Sequence, residues 1–239
     1  MKLVAVMWDA YMPMLKRASK EAGVELSAYA NRIVEENREL LDEILSKSAD
    51  ADVILFNRTT HSFWEELCAS FKEIREKKPV ICVGNDASYW GLTSTDKEIA
   101  IEAYKYLTKN SYENFRRLII FLDFYFGDKK SEILPPVDIP FQGIVHPHAE
   151  NVIFDSLPEY LDWYEEYLAD CRMKTAGKDG GTDTGKYVGV IISRAAWLSQ
   201  NCEIESTLIR DLEDLGLRTI PVFTNSVHDD SQKSLNIAE

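Results

Sequence analysis

His146 and His148 flank Pro147 in the run Gly143-Ile144-Val145-His146-Pro147-His148, a pair that invites metal chemistry. Histidines two apart can share one metal ion only if the backbone is extended and a third ligand converges. Glu150 and Asp155 lie near in sequence. The plainer expectation is an ordered loop with hydrogen-bonded histidines and no metal. A second pair is Arg194 and Asn201. Arg194 is expected at the C-terminal end of a buried strand, with Asn201 opening the next helix, a natural place to hold an anionic propionate or an amide group. The competing reading pairs Arg194 with an acidic neighbour. His61 and His228 stand alone in the sequence and are assigned no role.

Other chemistries find less support. Gly180 followed after four residues by Gly185-Lys186 approaches a phosphate loop, but Tyr187 stands where Ser or Thr would hold magnesium. That loop also runs into a strand rather than a helix. No GxSxG or GxGxxG motif occurs, so neither a nucleophile elbow nor a dinucleotide fingerprint is present. Cys68, Cys82, Cys171 and Cys202 show no CxxC spacing and read as reduced thiols. The aromatic set Tyr160, Trp163, Tyr164 and Tyr167 reads as a helix face packing on a sheet.

These residues must be carried by a fold, and the hydrophobic periodicity describes one. Apolar runs at Lys2–Met7, Val24–Ala30, Asp52–Phe56 and Pro79–Val83 alternate with amphipathic stretches at Met12–Ala22, Arg32–Ser46 and Ser62–Lys77. Strands alternating with helices imply a parallel, doubly wound Rossmann-like sheet, in flavodoxin-like order, with helices on both faces. Ser62 with Glu65, Thr95 with Glu98, and Ser156 with Glu159 are capping-box patterns. Two successive helices, reaching Thr108 and Gly127, then a Pro-rich loop and a helix from Pro158 to about Cys171, form a helical extension.

The expected organisation is a Rossmann-like lobe over 1–92 and a helical extension packing on it over 93–173. A flexible linker over 174–186 and the beginning of a second α/β lobe over 187–239 complete it. In that last part Tyr187–Ile192 and Thr219–Phe223 read as strands buried on both faces. Between them Ile204, Leu208, Ile209, Leu212 and Leu215 fall on one helical face. Two parallel strands cannot bury both faces alone, so either the unit packs on the preceding domain or it is the incomplete start of a longer one.

The strand ends of the first lobe are the default ligand crevice of such a fold. They offer Trp8, Asp9, Tyr11, Asn57, Arg58, Thr59, Gly84, Asn85 and Asp86. These residues match neither a receiver domain's acidic pair nor a flavodoxin's phosphate loop.

The chain has 239 residues, 45% of them hydrophobic, with a formal net charge of -13. That length supports real cores, and the charge disfavours nucleic acid and anionic membrane surfaces as partners. The N-terminal apolar run is cut by Asp9, and Phe115–Phe126 is too short and too charged to span a bilayer. A cytoplasmic protein is expected.

Three segments, in order, resemble one family. Tyr106-Leu107, Glu113-Asn114-Phe115-Arg116-Arg117-Leu118-Ile119 and Phe121-Leu122 are similar to a "YL…ENLRNLLRFL" segment. Gly143-Ile144-Val145-His146-Pro147, Phe154 and Tyr160-Leu161 with Trp163-Tyr164 are similar to a "GIYHPD…YL-WY" region, with His148 in place of the family's Asp. Val188-Gly189-Val190, Arg194, Trp197, Asn201, Leu212, Gly216 and Pro221-Val222-Phe223 complete the match.

The family is that of the large subunits of CobN-type cobaltochelatase and magnesium chelatase. The resemblance implies the N-terminal portion of a much longer tetrapyrrole-binding subunit. That subunit would insert cobalt into a corrinoid precursor or magnesium into protoporphyrin, with ATP used by separate ATPase subunits. It carries no catalytic residue onto this stretch. The alternative is a non-catalytic Rossmann-like scaffold or small-molecule-binding module.

Overall fold

Lys2–Met7 forms strand β1, and every residue from Leu3 to Met7 is buried. A strand buried on both faces must be central, and β1 is. The computed structural model describes residues 1–128, 130–149, 152–174 and 184–224. Glu150, Gly180, His228 and most of the 174–186 segment lie outside these.

Helix α1 (Met12–Ala22) follows β1 and stops at Gly23, whose φ of 68° is the left-handed conformation that glycine adopts without a Cβ clash. Then come β2 (Glu25–Ala30), α2 (Asn31–Glu36), α3 (Leu40–Ala49), β3 (Val53–Asn57), α4 (Phe63–Ser70), α5 (Lys72–Arg75) and β4 (Val80–Val83). The strand order is β2-β1-β3-β4, all parallel, as in flavodoxin-like sheets.

Period-two alternation sorts the strands' side chains. Leu3, Ala5, Met7, Val53, Leu55, Ile81 and Val83 enter one core with α1, α6 (Lys97–Thr108) and α7 (Tyr112–Phe126). Val4, Val6, Ile54, Phe56, Val80 and Cys82 enter the other, beneath residues of α2 to α5. Ser111 caps α7, its hydroxyl accepting from the Asn114 amide at 3.2 Å.

Several helices depart from their expected form: Thr95 and Glu98 form no capping box, since Asp96 takes the cap position of α6 without a side-chain bond, and the stretch Ser62–Lys77 is split into α4 and α5. The single helix over Arg32–Ser46 is broken at Asn37, which is extended at φ -133° and ψ 92°. The Asn37 side chain accepts from the Glu39 amide at 3.2 Å, a local bond that competes with helix continuation. The Ser62–Glu65 capping box does not form. Ser62 donates instead to Glu35 at 2.8 Å, and Glu35 accepts from the Phe63 amide at 3.1 Å. A carboxylate from α2 therefore caps α4, an arrangement that local sequence spacing cannot reveal.

The chain divides into two compact units, Met1–Ile139 and Pro140–Glu239. Residues 140–173, grouped above with the first lobe's helical extension, thus fall in the second unit. Its sheet has the order β5-β7-β6, built from β5 (Gly143–Ile144), β6 (Tyr187–Ser193) and β7 (Arg218–Thr224). The pair β6 and β7 is parallel, and β5 adds antiparallel to the far side of β7. Gly143 is required there, because a Cβ would sit 2.5 Å from Ile153 Cγ2 and 2.9 Å from the Phe223 ring.

Pro221 limits this edge. Its carbonyl accepts from the Val145 amide at 3.0 Å, but proline has no N–H to return the bond. The antiparallel ladder therefore closes after two residues. Helix α8 (Leu157–Lys174) packs Tyr160 and Tyr164 against Phe154, Ile144 and Ile220. Helices α9 (Arg194–Ser199) and α10 (Glu203–Asp214) connect β6 to β7.

The expectation that β6 is buried on both faces is not met. Val190 and Ile192 are buried, while Tyr187 and Ile191 are 44% and 54% exposed. Nor does α10 bury its whole apolar stripe. Ile209 is buried, but Ile204, Leu208 and Leu215 are 83%, 48% and 70% exposed. Among the described residues β6 has a partner on one side only, whereas β1 in the first unit has one on each side.

Phe56 is fully buried and meets Trp64 and Phe71 edge-on, with centroids 5.4 and 5.0 Å away. Phe56→Ala should lower the free energy of urea unfolding of the first unit by about 3–5 kcal/mol. A loss below roughly 1 kcal/mol would show that this core collapses around the gap.

Candidate functional site

Tyr160, Tyr164 and Tyr167 recur at i, i+4 and i+7, so α8 presents three phenols on one face. Tyr160 and Tyr164 are fully buried, and a buried phenol needs a hydrogen-bond partner. Tyr160 donates to the Thr219 carbonyl at 2.7 Å. Tyr164 accepts from the Thr219 amide at 3.1 Å and donates to Glu213 Oε1 at 2.7 Å. Tyr167 donates to Glu213 Oε2 at 3.3 Å. Burial pushes all three phenols above their ordinary pKa.

Glu213 sits in the last turn of α10 and is the hub of this cluster. Its Oε1 also accepts from the Thr219 hydroxyl at 2.8 Å and meets His146 Nε2 at 3.0 Å. Burial alone would raise its pKa, but the bonds from His146, Tyr164 and Thr219 outweigh burial and lower it.

His146 is fully buried, and both its ring nitrogens are engaged. Its Nδ1 accepts from the His148 amide at 3.2 Å, which places the proton on Nε2, facing Glu213. No nitrogen lone pair is left for a metal. His148 is exposed and stacks on Tyr167, with centroids 5.2 Å apart and planes at 21°. Partial burial, then the neighbouring His146, lowers its pKa. Among the described residues no group of three or more His, Cys, Asp or Glu side chains is placed to hold a metal ion.

The two predicted pairs therefore have different fates. His146 and His148 are brought together, with ring centroids 5.6 Å apart. Arg194 opens α9, donating from Nε to the Pro140 carbonyl at 3.0 Å while its guanidinium lies 4.9 Å from the centre of the Phe141 ring. Burial lowers its pKa. Asn201 is exposed and does not cap α10; Cys202 takes the cap position without a side-chain bond. Burial pushes the Cys82 thiol up to about 12 and the Cys202 thiol up to about 11, so neither is a nucleophile near neutrality.

Sequence reading missed Glu213, Tyr164 and Thr219 as a set. The available signal was the tyrosine spacing on α8, because three buried hydroxyls on one face imply an acceptor opposite them.

The CobN/Magnesium Chelatase family model matches residues 104–238, which span α7, the His146 loop and the Glu213 cluster. The chain belongs to this family. It is 26% identical over 230 residues to uncharacterized protein MJ1441 of Methanocaldococcus jannaschii, covering 94% of this chain and 15% of that protein. It is 26% identical over 133 residues to MJ0908 of the same organism, covering 55% of this chain and 10% of that protein.

Among solved structures, the catalytic subunit of cobaltochelatase from Mycobacterium tuberculosis shares the fold. The TM-score is 0.63 at 19% identity, over 97% of this chain and 17% of that one. The chain thus spans less than a fifth of the length of these relatives. Among the described residues, no helix is long and apolar enough to cross a membrane.

Because the folded pKa of Glu213 is depressed, its stabilising contribution is complete above the ordinary carboxylate range and is lost as pH falls through the folded value. The urea midpoint of the second unit should drop between about pH 6 and pH 3, and Glu213→Gln should flatten that drop. The same variant should cost roughly 2 kcal/mol at neutral pH through its weakened bond to His146. An unchanged pH profile in Glu213→Gln would place the titration elsewhere.

Proposed function

We propose that this chain is the N-terminal region of the tetrapyrrole-binding large subunit of an ATP-dependent metal chelatase. Cobalt or magnesium enters such a reaction as substrate, destined for a corrinoid precursor or protoporphyrin. ATP is consumed on partner ATPase subunits in the cytoplasm, and this region alone does not insert metal. Family membership supports the class of reaction, and the likeness to the catalytic subunit of cobaltochelatase from Mycobacterium tuberculosis supports cobalt as the metal.

The observation that carries the reading of an unfinished subunit is β6. In the first unit the opening strand pairs on both sides. In the second unit, among the described residues, the equivalent strand pairs only with β7 and leaves Tyr187 and Ile191 exposed, beside an α10 that exposes Ile204, Leu208 and Leu215. A further parallel strand with its crossover helix would bury such a surface.

Within the chain, Arg194, Asn201, His146 and His148 are the proposed substrate contacts. Arg194 supplies a cation for a propionate, and Asn201 supplies an amide. The exposed His148 ring offers a face or a nitrogen, and His146 holds the His148 backbone in place. Metal insertion also needs a base to take protons from the ring nitrogens. Glu213 is a poor one, because its lowered pKa and its donors stabilise the carboxylate. That chemistry belongs to the rest of the subunit. The second reading, a scaffold that docks other subunits, draws on the same exposed face.

Two measurements test the proposal. Titration of the chain into a corrinoid or protoporphyrin should shift the Soret or corrin bands at micromolar protein, and Arg194→Ala should weaken the shift about tenfold, or roughly 1.4 kcal/mol. Absence of any shift would favour the scaffold. An immunoblot of the source cells should show a band several-fold heavier than this chain, and a band at the chain's own mass would end the unfinished-subunit reading.

A further inference from the structure

A groove opens between α1 and α7 in the first unit. Ala18, Glu21 and Ala22 of α1 and Ile119, Ile120 and Asp123 of α7 line it. Its volume is about 430 Å³, the size of a small-molecule site rather than of a docked protein surface.

Asp123 is the unusual member of this wall. Its side chain is only 7% exposed, yet among the described residues no donor is hydrogen-bonded to its carboxylate. The Met1 ammonium stands 4.0 Å from Oδ1, which offsets the charge through space but lies beyond hydrogen-bond reach. An ionised carboxylate accepts at about four lone-pair sites, and burying them unmet is costly. Gly127 shows that the place of this carboxylate is built in. Its backbone, at φ -111° and ψ -166°, is extended and open to any residue, so conformation does not call for glycine. A Cβ there, however, would sit 1.9 Å from Asp123 Oδ1.

The other charged groups of the groove are already bonded. Glu21 accepts from Arg17 Nε at 3.2 Å and from the Tyr112 hydroxyl. Arg116, also on the wall, donates to Glu113 at 2.8 Å. A ligand that completes the groove therefore brings a positive charge with N–H donors for Asp123, and an apolar stem for the isoleucines and alanines. A metal ion is a poor match, since no group of three or more His, Cys, Asp or Glu converges among the described residues.

We propose that the groove between α1 and α7 binds a small protonated primary alkylamine, its ammonium on Asp123 and its alkyl chain against Ile119 and Ile120. A quaternary ammonium on the same chain has the charge but no N–H, and an alcohol has the O–H but no charge. Each leaves Asp123 only half answered. The site stands apart from the Glu213 cluster and does not rest on the chelatase reading.

Isothermal titration of the full chain at neutral pH with n-butylamine, n-butyltrimethylammonium and n-butanol tests it. Butylamine should bind one-to-one at millimolar concentration, and the other two at least about tenfold more weakly. Asp123→Asn removes the charge at nearly constant shape and should weaken butylamine about tenfold. Gly127→Ala leaves the carboxylate in the chain but displaces it, and should weaken butylamine as well. Circular dichroism confirms the fold of both variants. Equal affinity for butylamine and its trimethylated analogue, or no heat from butylamine, overturns the proposal, as does unchanged affinity in folded Asp123→Asn. The comparison of the three ligands on the unaltered chain stands even if a variant fails to fold.

Discussion

The second unit depends on one buried carboxylate. Glu213 comes from α10, and the groups bonded to it come from α8, from β7 and from the loop after β5. A carboxylate can be kept ionised in a largely apolar setting only if its lone pairs are filled, and here phenol, hydroxyl and imidazole fill them. Any one of these elements alone would be a marginal piece of structure. A sheet whose β5 strand is two residues long and whose covering helix is rich in tyrosine gains its register from these bonds as much as from apolar contact. The buried cluster of Phe154, Tyr160 and Tyr164 then excludes water from the network and strengthens each bond in it.

Much of the first unit was legible because parallel sheets write a strong signal. Runs such as Leu3 to Met7 and Val53 to Phe56 are apolar at every position, and only a strand covered on both faces needs that. The breaks were not legible, because they arise from side chains reaching across space. Asn37 bonds locally and interrupts a helix whose apolar period continues through it, and Glu35 displaces Ser62 as the cap of the next helix.

In the second unit the apolar runs mark β6 and β7 but not the two-residue β5, and they do not reveal what covers them. Apolar content alone does not say whether a neighbour is present, so Tyr187 and Ile191 looked buried when they are not. Of the candidate site residues, the histidine pair was legible as a pair. Its acceptor was not, since Glu213 lies 67 residues from His146 and looks like any solvent-facing helix carboxylate.

The two units also divide the chemistry. The first is closed by helices on both faces and has unmet polar atoms only at restricted points, its strand-end edge among them. The second satisfies its buried polar groups internally at the Glu213 cluster and leaves apolar surface outside. Bare apolar surface of that kind suits more polypeptide. Arg194, held by a backbone carbonyl and a phenylalanine ring, stands in the unit with the apolar surface.

Pro221 gives the second sheet a polarity. On the β5 side its missing N–H ends the ladder, which protects that flank from pairing with a stray strand. The β6 flank has no such guard: it is a seven-residue edge with Ile191 and Tyr187 facing water. Among the described residues the second sheet therefore has one sticky margin and one blunt one, and self-association through the sticky margin would pair molecules edge to edge. The formal charge of -13 opposes such crowding, so salt, by screening that repulsion, is the condition under which an isolated preparation would clump.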